Sequence, residues 1–408
     1  MISITQHQVV SALQPYHSDI RQFTCDLIAI ASENPPGNHY DACVQRICQE
    51  LDKLGLSYDS FAYQDAGIEP RQNILSFVGN GQAGQPTVYF HGHYDVVPAQ
   101  DPAQFIPRVE DGWLVGRGST DMKAGLASMI YAAFVLRKLD ALQAGRVGLC
   151  IVADEETGGQ GGSRYLDELG VLGQDGVAMF TMEPTSGVIW NANRGAITLK
   201  ITVNGKAAHV GLQHQGVNAF EHMLTVANEL QALKAEVEHR RTAYTIEPTE
   251  AAHSILMLGG VVSGGTNFNV VPDTCSFTLE RRFNPEEDLA TEKAGLWAVL
   301  EACQQQGIEL EVEMLQEGYA SGVDEQHPVA QTLAETITTV TGAAPRFEMC
   351  PGLLEIRWYA NQGIPAFAYG PGLLECAHGP DERVEIERIY EHAVIYALAA
   401  AQILSSDM

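Results

Sequence analysis

The apolar run Val147–Val152 breaks off into Asp154-Glu155-Glu156 and a turn containing Gly158, Gly159, Gly161 and Gly162. A short apolar run closed by glycines reads as a strand buried on both faces. Strands of that kind belong to sheets covered on both sides. Their C-terminal ends are where open α/β sheets place ligands and chemistry. Glu155 and Glu156 leave that end in different directions, so one carboxylate can hold a metal while the other moves a proton. A solvated acidic turn is the other reading of this stretch alone.

The surrounding pattern extends the constraint. Apolar residues recur at helical spacing from about Val10 to Ile30, interrupted by Pro15, and again at Cys43, Ile47, Leu51 and Leu54 before Gly55. Strands are predicted at Leu56–Tyr63, Asn73–Val78, Thr87–Phe90, Val147–Val152 and Val177–Met182, with a helix around Leu126, Ile130 and Phe134. This alternation predicts an α/β fold: a mainly parallel sheet with helices on both faces. After Arg194-Gly195 the run Ile197–Val203 alternates apolar and polar residues, the mark of an antiparallel strand with one wet face. The following β-α-β-β-α-β order predicts an inserted α+β domain over 195–314, with 1–194 and 315–408 forming the larger one.

A chain of 408 residues accommodates two domains. Its formal charge of −27 argues against nucleic acid and anionic membrane as partners. An anionic substrate must therefore be met by local arginine or metal. The eight cysteines show no C-x-x-C pair and read as reduced thiols of a cytoplasmic protein. The N-terminal stretch lacks the pattern of a signal peptide. Ala393–Leu404 is too short to span a bilayer and reads as a packing helix.

His93, Asp121, Glu156, Glu183 and His378 each fall at the end of a predicted strand or in the loop after it. Singly they have ordinary readings: a core histidine, a helix N-cap, turn and loop residues. Together, two histidines and three carboxylates suit zinc, with manganese or cobalt as alternatives. A two-metal site needs one bridging carboxylate and two more ligands per ion, which five residues satisfy. Asp95 is spaced to accept a hydrogen bond from the His93 imidazole and set its tautomer, or is a turn residue before Val96-Val97-Pro98.

The chain resembles the dinuclear zinc aminoacylases and exopeptidases of the acetylornithine deacetylase, succinyl-diaminopimelate desuccinylase and glutamate carboxypeptidase type. The resemblance rests on HGHYDVVP (91–98), GRGSTDMKAG (116–125), DEETGG (154–159), MEPT (182–185), NRG (193–195), GKAAHVGLQHQGVNA (205–219), GGTNFNVVPD (264–273) and AHGPDE (377–382). It implies that Asp121 bridges two divalent metal ions, most simply zinc, with His93 and Glu183 on one and Glu156 and His378 on the other. Glu155 is then the general base. The resemblance further implies a ferredoxin-like lid that dimerises, with His209 stabilising the oxyanion across the dimer and Asn269 and Arg282 holding a substrate carboxylate. Gly352 presents its backbone to the substrate, Arg194 is a further substrate candidate, and His214 and Arg281 are structural.

One segment departs from the family pattern. A Gly-Thr-Ser-Asp-x-Arg type of sequence is replaced by Gly352-Leu353-Leu354-Glu355-Ile356-Arg357, which makes the wall beside Gly352 more apolar. The expected activity is amide hydrolysis of a small N-acyl amino acid in a cytoplasmic homodimer. A dipeptidase or carboxypeptidase with the same centre is the alternative, and an inactive binding protein is the alternative of another class. Gly259-Gly260 and Gly264-Gly265 read either as turns of a strand or as points of close approach to a ligand.

Overall fold

Strands buried along their whole length frame the larger part of the molecule. Thr87–His93 and Arg146–Val152 are buried at every position. Because successive residues face opposite sides, both faces of the sheet are covered there. The computed structural model describes residues 4–65, 69–79 and 84–406. It divides into two compact units: Met1–Asn191, Val323–Glu348 and Trp358–Met408, and Ala192–Gly322 with Met349–Arg357.

In the first unit the strand order is Asp59–Tyr63, Arg71–Gly79, Arg146–Val152, Thr87–His93, Gly176–Thr181, Ala366–Ala368 and Ile189–Asn193. The four central strands run parallel, and the neighbours on either side are antiparallel. From Thr87–His93 the chain continues to Arg146–Val152 on one side and then to Gly176–Thr181 on the other. A reversal of this kind is the place where α/β sheets bind ligands, outside the C-terminal strand ends. The helices Lys123–Lys138 and Ile386–Ser405 pack on each other and on the Thr87–His93 strand. Both are buried along most of their length. The predicted N-terminal helix is divided at Pro15, which lacks the N–H for the helical bond and crowds the preceding turn, into Gln6–Leu13, a tight turn Gln14–Tyr16 and His17–Ile28.

The second unit is a four-stranded antiparallel sheet in the order Ile255–Gly264, Thr274–Phe283, Gly195–Asn204, Glu309–Gly318. The helices Ala219–Val237 and Leu289–Gln305 pack on it. Alternating burial along Gly195–Asn204 and Thr274–Phe283 directs Ile197, Leu199, Ile201, Phe277 and Leu279 into one core. This is the ferredoxin-like arrangement. The Asn218 side chain caps the first helix, accepting from the N–H groups of Phe220 and Glu221. Gly259 adopts a φ of +79° at a register shift between Leu258 and Val262, so the first glycine pair turns its strand. The units divide the chain differently from the expected 195–314 insertion. Met349–Arg357 packs with the second unit because Met349 N–H donates to Thr245 O and Arg194 N–H to Gly352 O.

Candidate metal centre

Four neighbouring parallel strands deliver four of the five candidate ligands, all within the first unit. His93 is the last residue of its strand. Glu156 lies in the turn Glu155–Thr157 that follows Arg146–Val152. Glu183 comes just after Gly176–Thr181, and His378 follows the turn Leu374–Cys376 beyond Ala366–Ala368. Asp121 enters from the loop preceding the helix Lys123–Lys138. Gly370 holds the Glu183 strand end close: a Cβ there would lie 2.2 Å from Met182 O and 2.4 Å from Glu183 O.

Asp121 sits in the middle. Its Oδ1 is 3.2 Å from His93 Nε2, and its Oδ2 is 3.2 Å from His378 Nε2. Glu183 Oε1 lies 3.7 Å from His93 Nε2, and Glu156 Oε2 lies 3.4 Å from His378 Nε2. Two triads result, His93–Asp121–Glu183 and Asp121–Glu156–His378, each with ligand atoms within 4.8 Å of one another.

The charges explain what this arrangement wants. Burial and the neighbouring Asp121 push the Glu183 carboxyl well up, and the same two causes raise Glu156. Burial also works against ionised Asp121, but the His378 and His93 imidazoles outweigh it and hold that carboxyl low. Hydrogen bonds to Asp121 and Glu156 raise His378 to about 10. Burial disfavours charged His93, yet Asp121 and Asp95 outweigh it and raise this imidazole too. Protons on the imidazoles thus balance crowded carboxylates, a task that divalent cations perform in their place.

The residues fit such ions. Among the described residues, buried Oε1 of Glu183 has no hydrogen-bond partner. Two donors bonded to one tetrahedral zinc at about 2.0–2.1 Å are roughly 3.3 Å apart, close to the separations found here. The donor set is nitrogen and oxygen with no thiolate, which suits zinc, cobalt or manganese.

Asp95 joins both halves of the centre. It is fully buried, with Oδ1 3.4 Å from His93 Nδ1, while its backbone carbonyl lies 3.0 Å from the same nitrogen. Its carboxylate also accepts the backbone N–H of Glu155 at 3.3 Å and of Glu156 at 3.2 Å. Asn34 Nδ2 donates to it at 2.9 Å and to Thr157 Oγ1 at 2.9 Å. One carboxylate therefore orients an imidazole and anchors the turn that carries Glu155 and Glu156.

Residues outside the sequence-derived set support this turn. Asp154 is buried against Arg71, with Oδ1 2.9 Å from Arg71 Nε and 3.0 Å from Tyr40 Oη. Glu382 is buried beneath the Asp121 loop and pairs with Arg117. The signals were the D of DEETGG and the final E of AHGPDE, both within quoted motifs.

The remaining candidates lie in the second unit. His209 is exposed, and its Nδ1 accepts the N–H of Gly211 at 3.1 Å. It pairs with Val270, and Val210 N–H donates to Asn269 O at 3.0 Å, so His209 and Asn269 are neighbours. Arg282 pairs with Glu280 near the far end of Thr274–Phe283. Arg281 is buried among Glu287 and Glu292. Gly352 N–H faces Cys350 Sγ at 3.3 Å, and its carbonyl accepts from Arg194. Arg194, the further substrate candidate, is buried, and its guanidinium donates to His253 O at 2.9 Å and to Ala251 O. Those bonds engage the guanidinium within its own unit, closing a loop.

Comparison with known proteins agrees with this geometry. Residues 89–402 match peptidase family M20/M25/M40. The chain is 26% identical over 395 residues to a probable succinyl-diaminopimelate desuccinylase of Staphylococcus epidermidis, covering 91% of this chain and 94% of that one. It is 28% identical over 382 residues to a succinyl-diaminopimelate desuccinylase of Acidiphilium cryptum, covering 91% and 95%. Among solved structures, the dipeptidase Dug1p of Saccharomyces cerevisiae superposes with a TM-score of 0.76 at 16% identity over the full length of both chains. The protein belongs to peptidase family M20/M25/M40 and is a metal-dependent hydrolase.

Proposed function

We propose that the protein removes the acyl group from a small N-acyl amino acid bearing a free carboxylate, using two divalent ions, with zinc first and cobalt or manganese as alternatives. The carrying observation is Asp121, whose two oxygens each face the histidine of a different triad at 3.2 Å. His93 and Glu183 would hold one ion with it, and Glu156 and His378 the other. A similar fold is found in a Bacillus subtilis protein described as a dinuclear metal binding peptidase of family M20, at a TM-score of 0.65. Bound ions lower the pKa of water toward about 7 and polarise the scissile carbonyl.

The protein's own groups do the rest. Glu155, not required as a ligand, takes the proton of the attacking water and passes it to the departing amine nitrogen. Asp95 keeps the Glu155 backbone in place through their hydrogen bond. His209 donates to the oxyanion, and Asn269 and Arg282 hold the substrate carboxylate, the latter with two parallel hydrogen bonds. Glu155 also separates an enzyme from a mere binding protein, which has no use for a base beside its ligands.

Dipeptide hydrolysis is the second reading, and the region around Gly352 favours it over removal of a succinyl group. A succinyl group adds a second carboxylate that needs a cation. Arg357 is buried with Nη1 3.1 Å from Glu355 Oε1, and Arg194 is engaged with backbone carbonyls. A panel of N-acetyl, N-formyl and N-succinyl amino acids against dipeptides, with zinc, cobalt or manganese added, tests both readings. Hydrolysis of N-acetyl substrates is expected; absence of amide cleavage across the panel in protein holding two ions ends the proposal.

A homodimer formed through the second unit is part of the same reading. Ile255–Gly264 is an edge strand of its sheet, with Val261 65% exposed and Val262 58% exposed. Phe220 and Leu224 are exposed on the adjoining helix, and Phe268 is 96% exposed. His209 and Asn269 lie beyond the Thr274 end of the strand Thr274–Phe283, whereas Arg282 is eight residues further along it, about 26 Å away. A partner chain supplying His209 and Asn269 reconciles that separation with one substrate. The eight cysteines are thiols rather than disulfides, in keeping with a cytoplasmic location, and among the described residues no helix is long and apolar enough to cross a membrane.

A further inference from the structure

We propose that Glu382 is the positioning residue that sets Asp121 and His378 at the distance a two-ion centre requires. Its carboxylate is 1% exposed and serves as the hub of the Asp121 loop. Oε1 accepts three backbone N–H groups from that loop: Gly118 at 3.0 Å, Thr120 at 3.0 Å and Asp121 itself at 3.1 Å. Oε2 accepts from Arg117 Nη1, and Arg117 Nη2 donates to His378 O at 3.2 Å. The backbone closes the same ring, since Gly116 N–H donates to Glu382 O at 2.9 Å and Thr120 Oγ1 to Arg383 O at 2.6 Å.

This pattern explains the spacing in GRGSTDMKAG. Converging amides on one oxygen require the chain to wrap around it, and an anionic acceptor matches that concave set of donors. Gly118 adopts a φ of +83°, and a Cβ there would lie 2.8 Å from Val96 Cγ1. Gly116 is equally confined, with Ile28 Cγ2 at 2.6 Å from its virtual Cβ. The loop therefore takes one shape, and its shape is set by where Glu382 sits.

The consequence lies at the other end of these bonds. One arm of the Glu382–Arg117 pair ends on the Asp121 amide, the other on the His378 carbonyl. The side chains of those two residues meet at 3.2 Å. Nothing else described links both backbones through one buried ion pair. An indirect carboxylate can thus govern metal affinity without touching metal or substrate, as partners of ligand side chains do.

The inference rests on the reading that Asp121 bridges two ions, and the test separates the two. Metal-free wild-type protein and Glu382→Gln are titrated with zinc against a chromophoric chelator, and cobalt-loaded samples are compared by visible absorption. Glutamine keeps the volume but turns an NH₂ toward the Arg117 guanidinium, donor against donor. The expected result is two equivalents bound by wild type. In the variant, binding of at least one equivalent weakens about 10- to 100-fold, with an altered cobalt spectrum. A variant that binds both ions within threefold of wild type and shows the wild-type spectrum overturns the positioning role, whatever its melting temperature. Should the glutamine variant not fold, Glu382→Asp, which keeps the charge but withdraws it by one methylene, is read by the same two criteria. Wild-type protein that binds fewer than two equivalents overturns the bridging reading instead.

Discussion

At the scale of single residues, Asp95 accepts the backbone N–H groups of both adjacent carboxylates, Glu155 and Glu156. Glu156 turns to His378 at 3.4 Å, and its Oε1 accepts Val97 N–H at 3.2 Å. Glu155 carries the proposed role of general base. Replacing Glu155 with alanine is therefore expected to retain two bound ions and lower kcat roughly 10²- to 10⁴-fold, the range for a lost general base. Metal content and initial rates on one preparation check this; wild-type turnover in the variant removes Glu155 from the mechanism. His209→Ala is expected to lower kcat far more than it changes KM, since an oxyanion donor acts on the transition state and is worth about 3 kcal/mol. An effect on KM alone removes that role.

At the scale of elements, four parallel strands converge their C-terminal ends, and the turns after them are pinned by close backbone contact. Gly370 against Met182 O and Glu183 O is one such contact. Gly370→Ala forces these segments apart, a change expected to cost about 1–3 kcal/mol as overpacking does. Because Glu183 moves with the contact, zinc affinity is expected to fall as well, measured by chelator competition beside thermal unfolding. Loss of stability with unchanged affinity would mean that the strand end yields without moving Glu183. The strands and most helices were legible in the sequence because hydrophobic periodicity reports burial directly. The placement of Met349–Arg357 was not, since that segment is held by backbone bonds to Thr245 and Arg194 that leave no trace in its own pattern.

At the scale of the whole molecule, acidity and association provide the tests. His392 is fully buried, and burial together with Arg388 lowers its pKa to about 3. Its unfolded form takes a proton near pH 6.5, so the stability it contributes is complete above that pH and is lost as pH falls toward 3. His392→Phe is expected to make the decline over that window shallower by one proton, about 1.4 kcal/mol per pH unit, in denaturant titrations at several pH values. An unchanged slope would show that His392 is already protonated when folded. For association, Val261→Lys places a charge on the exposed edge strand, a device that blocks edge pairing. Light scattering should find a dimer for wild type and a monomer for the variant; a wild-type monomer overturns the proposed assembly.

Which residues are candidates for chemistry, and roughly where each sits, was legible in the sequence itself. An apolar run that stops at His93, or at Asp154-Glu155-Glu156, marks a strand end by local composition, which needs no knowledge of the fold. What tertiary structure alone decided is how those ends meet. Asp121 lies between two histidines distant in sequence, Asp95 serves both His93 and the Glu155 turn, and Glu382 reaches back beneath a loop more than half the chain away. These contacts depend on strand order and on where amide groups point. Both emerge only when long-range packing closes the sheet.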